Sequence, residues 1–577
     1  MSLERKTIRG RAIRPEQEVL LLLSRSRVRS QQEARVTALL QANLDWCALL
    51  ADAIDSNVLQ LVAWNLGHNP EWIPQEYSEF LKSYFERGTR RALLLTLELL
   101  DVLERFRRNG IEAIPYKGPV LAALAYKNIA LRYFSDLDLL VRQHEVPKAA
   151  EILAEMGFRP EFDLDSLRPK KSRDVPGQYG FERGPGSSRM ELHTERTLRY
   201  YPVLPRLECL RGRVIRVPIA GNEIQSFCPE DLLPILCVHG SKHFWEKLQW
   251  ICDIAELIEI PGGFDWEISF EMAHQTRTEG MVLLGLQLAA DLLGANVPEQ
   301  LLEQAHRDSA VQSLANKACE GLLGSKNEAS GLLSRFLFRW RMPERLSEKF
   351  RYIFRLATSP TETDREYAQF SNFFSPLYHV IRPIRLIRAY GFWFKRRPTP
   401  SNPAIYAPTP DAMVEKMLGM AALSSEDFLF DLGCGDSQIV ITAAKKYGAR
   451  AAGAESNPHR FRLAKANARR AGVELRTNFV QGDARSVDLR EATVVFLYLS
   501  LAENLKLRKK LDEELPLGAR VLSRDFEIPG WRPERTETYQ ATGSQRGQIY
   551  LYRKNAHLSG ALSSGPASCQ TVPVDSS

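Results

Sequence analysis

The sequence predicts a multidomain protein: an α+β domain with a helical extension, followed by a doubly wound α/β domain. Three observations predict this. Asp136-Leu137-Asp138-Leu139-Leu140-Val141 is a strand pattern carrying two acids at i and i+2, set between helical stretches. Phe430-Asp431-Leu432-Gly433-Cys434-Gly435-Asp436 is an apolar strand running into a Gly-rich turn, with Glu455 and then Gly482-Asp483 following further on. Residues 396–410, between the two, are proline-rich and read as a linker.

Bulk properties agree. A chain of 577 residues exceeds one core and predicts about two to four domains. With 44% hydrophobic and 25% charged residues, the composition is that of a soluble globular protein. The net charge of +7 permits contact with nucleic acid or acidic surfaces but does not call for it. The 8 cysteines form no CxxC pair, which excludes a cysteine-based zinc site and fits a reducing compartment. The charged N-terminus lacks a secretion signal, and no run of 18 apolar residues predicts a transmembrane segment. A cytoplasmic location follows as the expectation.

The elements read in order. Residues 1–15 are basic and expected to be loose, and helical periodicity fills an N-terminal region over 1–84 and runs on to Arg108. A long apolar stripe (Ala92 to Phe106) stops at Gly110. Over 85–260 follow a strand at Ile111–Pro115, a helix at Pro119–Tyr126, a strand at Leu137–Val141, a helix at Val146–Met156, a loop over 163–188 and a strand at Arg189–His193. Residues 261–395 continue as a helical extension, basic and aromatic toward its end. The α/β domain spans 404–553, with a first strand and turn over 428–435, strands at 451–454, 478–481 and 493–498, and a Ser/Gly-rich tail over 554–577 that reads as disordered.

In the first domain Asp136 and Asp138 point to one strand face, and Glu191 on a neighbouring strand can complete an oxygen cage. Such a cage suits Mg²⁺ holding nucleotide phosphates, and Gly118 at a helix start frees backbone N–H groups for a phosphate beside Lys117. The plainer reading makes these acids surface residues of an edge strand. The order Lys117-Gly118, Arg132, Asp136-x-Asp138-Leu-Leu-Val141, Glu191-x-His193, then His239, Lys242-His243, Trp250 and Asp253 resembles an uncharacterised bacterial family of the nucleotidyltransferase superfamily. The resemblance implies Mg²⁺ with a nucleoside triphosphate, Asp136, Asp138 and Glu191 as catalytic metal-binding acids, and Lys117 and Gly118 at the phosphates. The chain departs from the superfamily in having Pro119 where a second small residue is usual. His239 and His243 share a helix face at zinc spacing, but with no third ligand a hydrogen-bonded core pair is the better reading. A cluster from Arg382 to Arg397 interleaved with aromatics reads as the solvated face of a packed helix.

In the second domain Gly433 and Gly435 let backbone approach a ligand, Glu455 is placed for ribose hydroxyls, and Asp483 for an adenine amino group. No third glycine completes G-x-G-x-x-G, so a phosphate-free adenosine ligand, S-adenosyl-L-methionine, fits better than a dinucleotide. The matches Thr409-Pro410, Asp431-Leu-Gly433-Cys-Gly435-Asp436, Gly453-x-Glu455, Leu497-Tyr498-Leu499, Asn504 and Trp531 resemble class I methyltransferases with a Rossmann-like fold, near the family of the ATP synthase c-subunit lysine methyltransferase. The resemblance implies Asp431, Gly433, Gly435, Glu455 and Asp483 at the cofactor and Tyr498 bordering the methyl-transfer pocket as its catalytic candidate. Because a lysine acceptor must lose its proton, Asp525 is a further candidate for contacting it. Ser437-Gln438 stands where that family has Gly-Arg, and the membrane anchor of many relatives is not readable here.

The expectation is therefore a bifunctional fusion of nucleotidyltransferase-like and methyltransferase domains acting on unknown protein or small-molecule acceptors, protein-lysine N-methylation among them. The alternatives are a regulatory protein that binds nucleotide or S-adenosylmethionine with one or both sites inactive, and an RNA-modifying enzyme. No residue pattern reads out the oligomeric state.

Overall fold

The computed structural model describes residues 6–42, 44–161, 177–184, 188–194, 210–324, 409–540 and 546–555. The basic aromatic stretch from 325, nearly all of the linker and the tail beyond 555 lie outside the described residues. The described residues fall into two compact units: one takes in residues up to 324 except Trp46–Ala51 and Gln75–Phe80, which group with 409–555.

The first unit opens with a two-stranded hairpin, Thr7–Ile8 (β1) and Arg11–Ala12 (β2), where a loose segment was expected. Arg9 accounts for the difference: its guanidinium bonds Asp291 at 2.6 Å and Asn316 at 2.5 Å. Helices Pro15–Leu23, Ser30–Leu40, Trp46–Asp55 and Leu59–Gly67 lead to the 34-residue helix Gln75–Arg108. That long helix buries Leu95, Leu99, Val102 and Phe106, one face at helical spacing. Leu93, Leu94 and Leu97 are turned off that face and exposed, so the apolar stripe read from the sequence divides between core and surface. Gly110, at φ +70°, ends the helix in the left-handed region.

A five-stranded sheet follows, ordered Ile114–Pro115 (β3), Asp136–Leu140 (β4), Arg189–His193 (β7), Gln178–Glu182 (β6) and Arg159–Pro160 (β5). β4 runs parallel to β7, and all other pairings in it are antiparallel. β6 lies in a stretch expected to be a loop. A hairpin, Val214–Ile219 (β8) with Asn222–Phe227 (β9), docks on β3 through Ser226 Oγ, which donates to the Pro115 carbonyl at 2.7 Å. Helices Pro229–Lys242, Leu248–Ile258, Trp266–Thr276, Glu279–Leu293, Glu299–Arg307 and Ser309–Leu323 follow among the described residues of the unit. Arg132 makes a bidentate pair with Asp253 (2.8 and 3.0 Å), and Tyr126 OH donates to the same carboxylate at 2.8 Å. These buried charges tie helix Leu248–Ile258 to the segment entering β4. Breaking such a pair strands a charge, at a cost of about 3–5 kcal/mol.

The second unit is a seven-stranded sheet. Its parallel part comprises Phe428–Leu432 (β10), Arg450–Glu455 (β11), Thr477–Gln481 (β12), Val494–Leu497 (β13) and Arg520–Arg524 (β14). Arg535–Gln540 (β15) and Arg546–Arg553 (β16) form a hairpin whose β16 pairs antiparallel with β14. The order β12-β11-β10-β13-β14-β16-β15 reverses direction at β10, which has β11 on one side and β13 on the other. Ligands bind in the crevice at such a switch point. Side chains alternate between the two faces: Val494 and Phe496 pack with Val440 and Met417, whereas Val495 and Leu497 pack with Leu507 and Leu511. Each such burial contributes about 1.5–3 kcal/mol, and together they fix the register that aligns the strand tips.

Candidate functional site

In the first unit, parallel pairing sets Asp138 level with Glu191. Asp136, Asp138, Glu191 and His193 share one face because each strand repeats every two residues. His193 Nε2 lies 2.8 Å from Asp138 Oδ1 and 3.4 Å from Glu191 Oε2. Gln178 donates to Glu191 Oε2 at 2.5 Å, and Arg189 stands 3.4 Å from its other oxygen. Lys117 Nζ is 3.4 Å from both Asp138 Oδ1 and His239 Nδ1. Lys117, Asp136, Asp138, Glu191, His193 and His239 line one cavity of about 370 Å³.

Lys117 reaches the acids because helix Gly118–Tyr126 starts directly behind it. Gly118 has φ +56°, so glycine permits the turn; a Cβ there would make only ordinary contact with the Asp136 carbonyl, at 3.4 Å. Pro119 occupies the first turn of that helix, where its missing N–H costs nothing.

The electrostatics separate the two aspartates. Burial, then the charge of Asp138, pushes Asp136 up. Against burial, Lys117 and the His193 hydrogen bond hold Asp138 well below the usual carboxylate range. Against burial again, His193 draws Glu191 down, and its bonds to Asp138 and Glu191 draw His193 up. Burial, then Lys117 and His243, push His239 far down.

The group whose ligand atoms come within 4.8 Å of one another is Asp138, Glu191 and His193. Asp136, expected as a metal ligand, is not part of that group; it lines the same cavity. His193 was legible in the sequence as two residues beyond Glu191, yet the expectation gave it no role. The rings of His239 and His243 are 4.8 Å apart and both lie 5.4 Å from Trp250, with no third ligand joining them among the described residues.

In the second unit the Gly-rich bend folds over the tip of β11. Gly433 N and Cys434 N donate to the Ala454 carbonyl at 3.0 and 2.9 Å. Glu455 is buried and accepts from Gly435 N at 3.1 Å and from Asn457 N at 2.7 Å. Two N–H bonds fix the carboxylate and leave acceptor capacity for hydroxyl groups. Asp431 is buried beside it, and its carboxyl meets no hydrogen-bond donor among the described residues; burial, then the charges of Glu455 and Asp436, pushes it up to about 8. Three acids around a bare-backbone bend reject a pyrophosphate and suit a cationic ligand, so this donor set fits a sulfonium-bearing adenosine cofactor.

Asp483 follows the end of β12, and its half-exposed carboxylate is bound by Arg485 through the backbone N–H (2.9 Å) and the side chain. Ser437 sits at φ +72°, a conformation that favours glycine. Its hydroxyl is buried and donates to the Ala464 carbonyl at 3.2 Å.

Beyond β13, the Leu499 side chain lies 3.0 Å from where a Gly433 Cβ would be, so this segment borders the bend. Its neighbour Tyr498 carries the Arg524 guanidinium 4.2 Å over its ring. Arg524 also donates to Thr409 Oγ1 (3.0 Å) and Tyr539 OH (2.9 Å), and Tyr539 OH donates to Asp525 at 2.8 Å. Tyr498 and Asp525 are thus linked through Arg524 and Tyr539, two residues that the sequence reading missed.

Comparison with known proteins finds two families along the chain. Residues 42–294 match the family model described as an uncharacterised nucleotidyltransferase, and residues 431–535 match that of the ANTKMT methyltransferase domain. Over 153 residues the chain is 42% identical to a protein-lysine N-methyltransferase of Saccharolobus islandicus, covering 26% of this chain and 94% of that protein. It is 35% identical to the mouse adenine nucleotide translocase lysine N-methyltransferase, covering 26% of this chain and only 62% of that relative's length. Among solved structures, an RNA methyltransferase from Salinibacter ruber in complex with S-adenosyl-L-homocysteine is 41% identical, with 26% of this chain and 95% of that chain covered and a TM-score of 0.25. Among the described residues no helix is long and apolar enough to cross a membrane.

Proposed function

The chain belongs through its C-terminal block to the ANTKMT methyltransferase family and is an S-adenosylmethionine-dependent methyltransferase fused to a nucleotidyltransferase-family domain; from this premise we propose that it N-methylates protein lysine side chains while the N-terminal site handles a nucleoside triphosphate. The observation that carries the first half is the buried, doubly hydrogen-bonded Glu455 beside the Gly433–Gly435 bend, within a block 42% identical to a protein-lysine N-methyltransferase.

The cofactor, when bound, supplies an electrophilic methyl group. Glu455 would hold the ribose hydroxyls, and Asp431 and Asp436 would balance positive charge at the bend. Tyr498 and Leu499 would wall the acceptor side and keep it poor in water, which favours the neutral amine that must act as nucleophile. Arg524, clasped by Tyr498 and Tyr539, holds Tyr498 in place. Methyl transfer itself needs alignment more than a strong base.

In the N-terminal site, a divalent ion when bound supplies charge neutralisation for a polyphosphate. Lys117 and the helix start at Gly118 would bind phosphate oxygens. Asp136, whose carboxyl is raised and has no hydrogen-bond donor among the described residues, is placed to accept a proton from the acceptor hydroxyl. A second reading, nucleotide binding without turnover, is favoured by one observation: His193, Lys117 and Gln178 already bond Asp138 and Glu191.

Transfer of a labelled methyl group to lysine-containing proteins, with Glu455→Ala as control, tests the first half. Label on RNA and none on protein would overturn it. Incubation with α-labelled triphosphates, with Asp136→Asn as control, separates turnover from binding.

A further inference from the structure

The N-terminal donor set is not the all-oxygen cage expected of a Mg²⁺ site. Resting on the nucleotide-handling reading above, we propose that Asp138, Glu191 and His193 form a binding site for a divalent transition metal of the Mn²⁺ class, with His193 Nε2 as a direct ligand.

Three observations carry this. The first is spacing. Ligands bound at about 2.1 Å and at right angles lie about 3.0 Å from one another. Asp138 Oδ1 and His193 Nε2 are 2.8 Å apart, and His193 Nε2 and Glu191 Oε2 are 3.4 Å apart. A small outward adjustment of strands already in register would admit an ion. The second is burial. The three side chains are only 4%, 6% and 5% exposed, and two carboxylates in such a place require a counter-charge. Lys117, 3.4 Å from Asp138, and the half-exposed Arg189, 3.4 Å from the outer oxygen of Glu191, meet part of that demand. Buried His193 Nδ1 has no hydrogen-bond partner among the described residues, so the ring is held through Nε2, which stands between the two acids.

The third is donor chemistry. Mg²⁺ selects oxygen and keeps its waters, whereas imidazole nitrogen raises affinity along the first-row series. The adjoining cavity leaves room for further ligands, and Gln178, which lines it too, now holds Glu191 through Oε2, a bond that an ion would replace or share. Coordination through Nε2 replaces the hydrogen now shared with Asp138, and that proton passes to solvent.

The test uses the full chain and Mn²⁺ alone. Paramagnetic resonance of free Mn²⁺ gives the affinity, Mg²⁺ competition gives the preference, and electron-spin-echo modulation reads directly bound nitrogen. We expect Mn²⁺ to bind at least 10-fold more tightly than Mg²⁺, with nitrogen coupling in the wild type. His193→Ala should lose at least 10-fold in Mn²⁺ affinity, and Glu455→Ala, in the other unit, should lose none. Failure to bind any divalent ion, equal affinity for the two ions, or bound Mn²⁺ without nitrogen coupling would overturn the proposal. The wild-type coupling decides the matter even where His193→Ala does not fold. Nitrogen-coupled Mn²⁺ with no nucleotidyl transfer would leave the ion site standing and remove the nucleotide reading. Turnover supported by Mg²⁺ with no nitrogen coupling would do the reverse.

Discussion

Asp431 is the residue at which stability and function pull apart. Its carboxyl titrates near 8 in the folded chain because burial and two neighbouring acids disfavour the charge, against an ordinary value near 4. Between those limits the unfolded chain has released the proton and the folded chain still holds it. The stability that Asp431 contributes is therefore highest below about pH 4, falls as pH rises, and is lost completely above about pH 8. Asp431→Asn removes this dependence. Urea melts across pH 4–9 should show the variant gaining on the wild type from about pH 4 and levelling off above pH 8, by a few kcal/mol. A flat difference across that range would refute the assignment. Calorimetry with S-adenosylmethionine should find the same variant binding more weakly, since a sulfonium draws the Asp431 carboxyl into its ionised form and an amide cannot ionise. Ser437 makes a second case. At φ +72° a β-branched side chain is a genuine outlier, so Ser437→Val should cost about 2 kcal/mol, whereas Ser437→Gly should cost little or gain up to about 1 kcal/mol. Equal melting points for the two variants would refute this.

At the scale of elements, packing of helix on helix positions the histidines of the N-terminal cavity. Helix Pro229–Lys242 carries His239 and crosses Glu279–Leu293, with the fully buried Trp245 indole pressed between Gly240 and Gly285. A Cβ would lie 2.5 Å from the ring at Gly240 and 3.1 Å from it at Gly285, where it would also meet Cys237 Sγ at 2.6 Å. Gly240→Ala should therefore cost at least about 2 kcal/mol and displace His239. Gly321→Ala, in a helix with open space around it, should stabilise by up to about 1 kcal/mol. Denaturant melts of both variants check the contrast, and matching shifts would sink it. The sequence exposed such features unevenly. β4 and β7 were legible because Asp-Leu-Asp-Leu-Leu and Arg-Met-Glu-Leu-His carry period-two patterning. β6 was hidden because Gly180 sits mid-strand; a side chain there would strike the Glu161 carboxylate, 2.2 Å from a Cβ. The β8–β9 hairpin had a readable signal, two alternating runs around Ala220-Gly221, both at positive φ, and that signal went unused. His193 was overlooked for a different reason: its role comes from pairing between distant strands, which composition does not record.

At the scale of the molecule, two compact units imply two separable ligand linkages. A ligand that binds only folded protein stabilises its unit by about 2.7 kcal/mol at 100 times its dissociation constant. S-adenosylhomocysteine should raise one calorimetric transition and leave the other in place, and Mn²⁺ should do the converse. Glu455→Ala should abolish the first shift alone, because its carboxylate organises only the bend after β10. His193→Ala should abolish the second alone, because its ring belongs only to the β4–β7 face. Both domain types and their chain order could be read from Gly-rich bends and strand-tip acids, whereas coupling between the sites has no local signature and must be measured. Should either ligand move both transitions, the units unfold cooperatively, and occupancy of one site sets the stability of the other. Scans of the full chain with each ligand alone and with both together decide the point: independent sites give additive shifts, and any excess measures the coupling free energy directly.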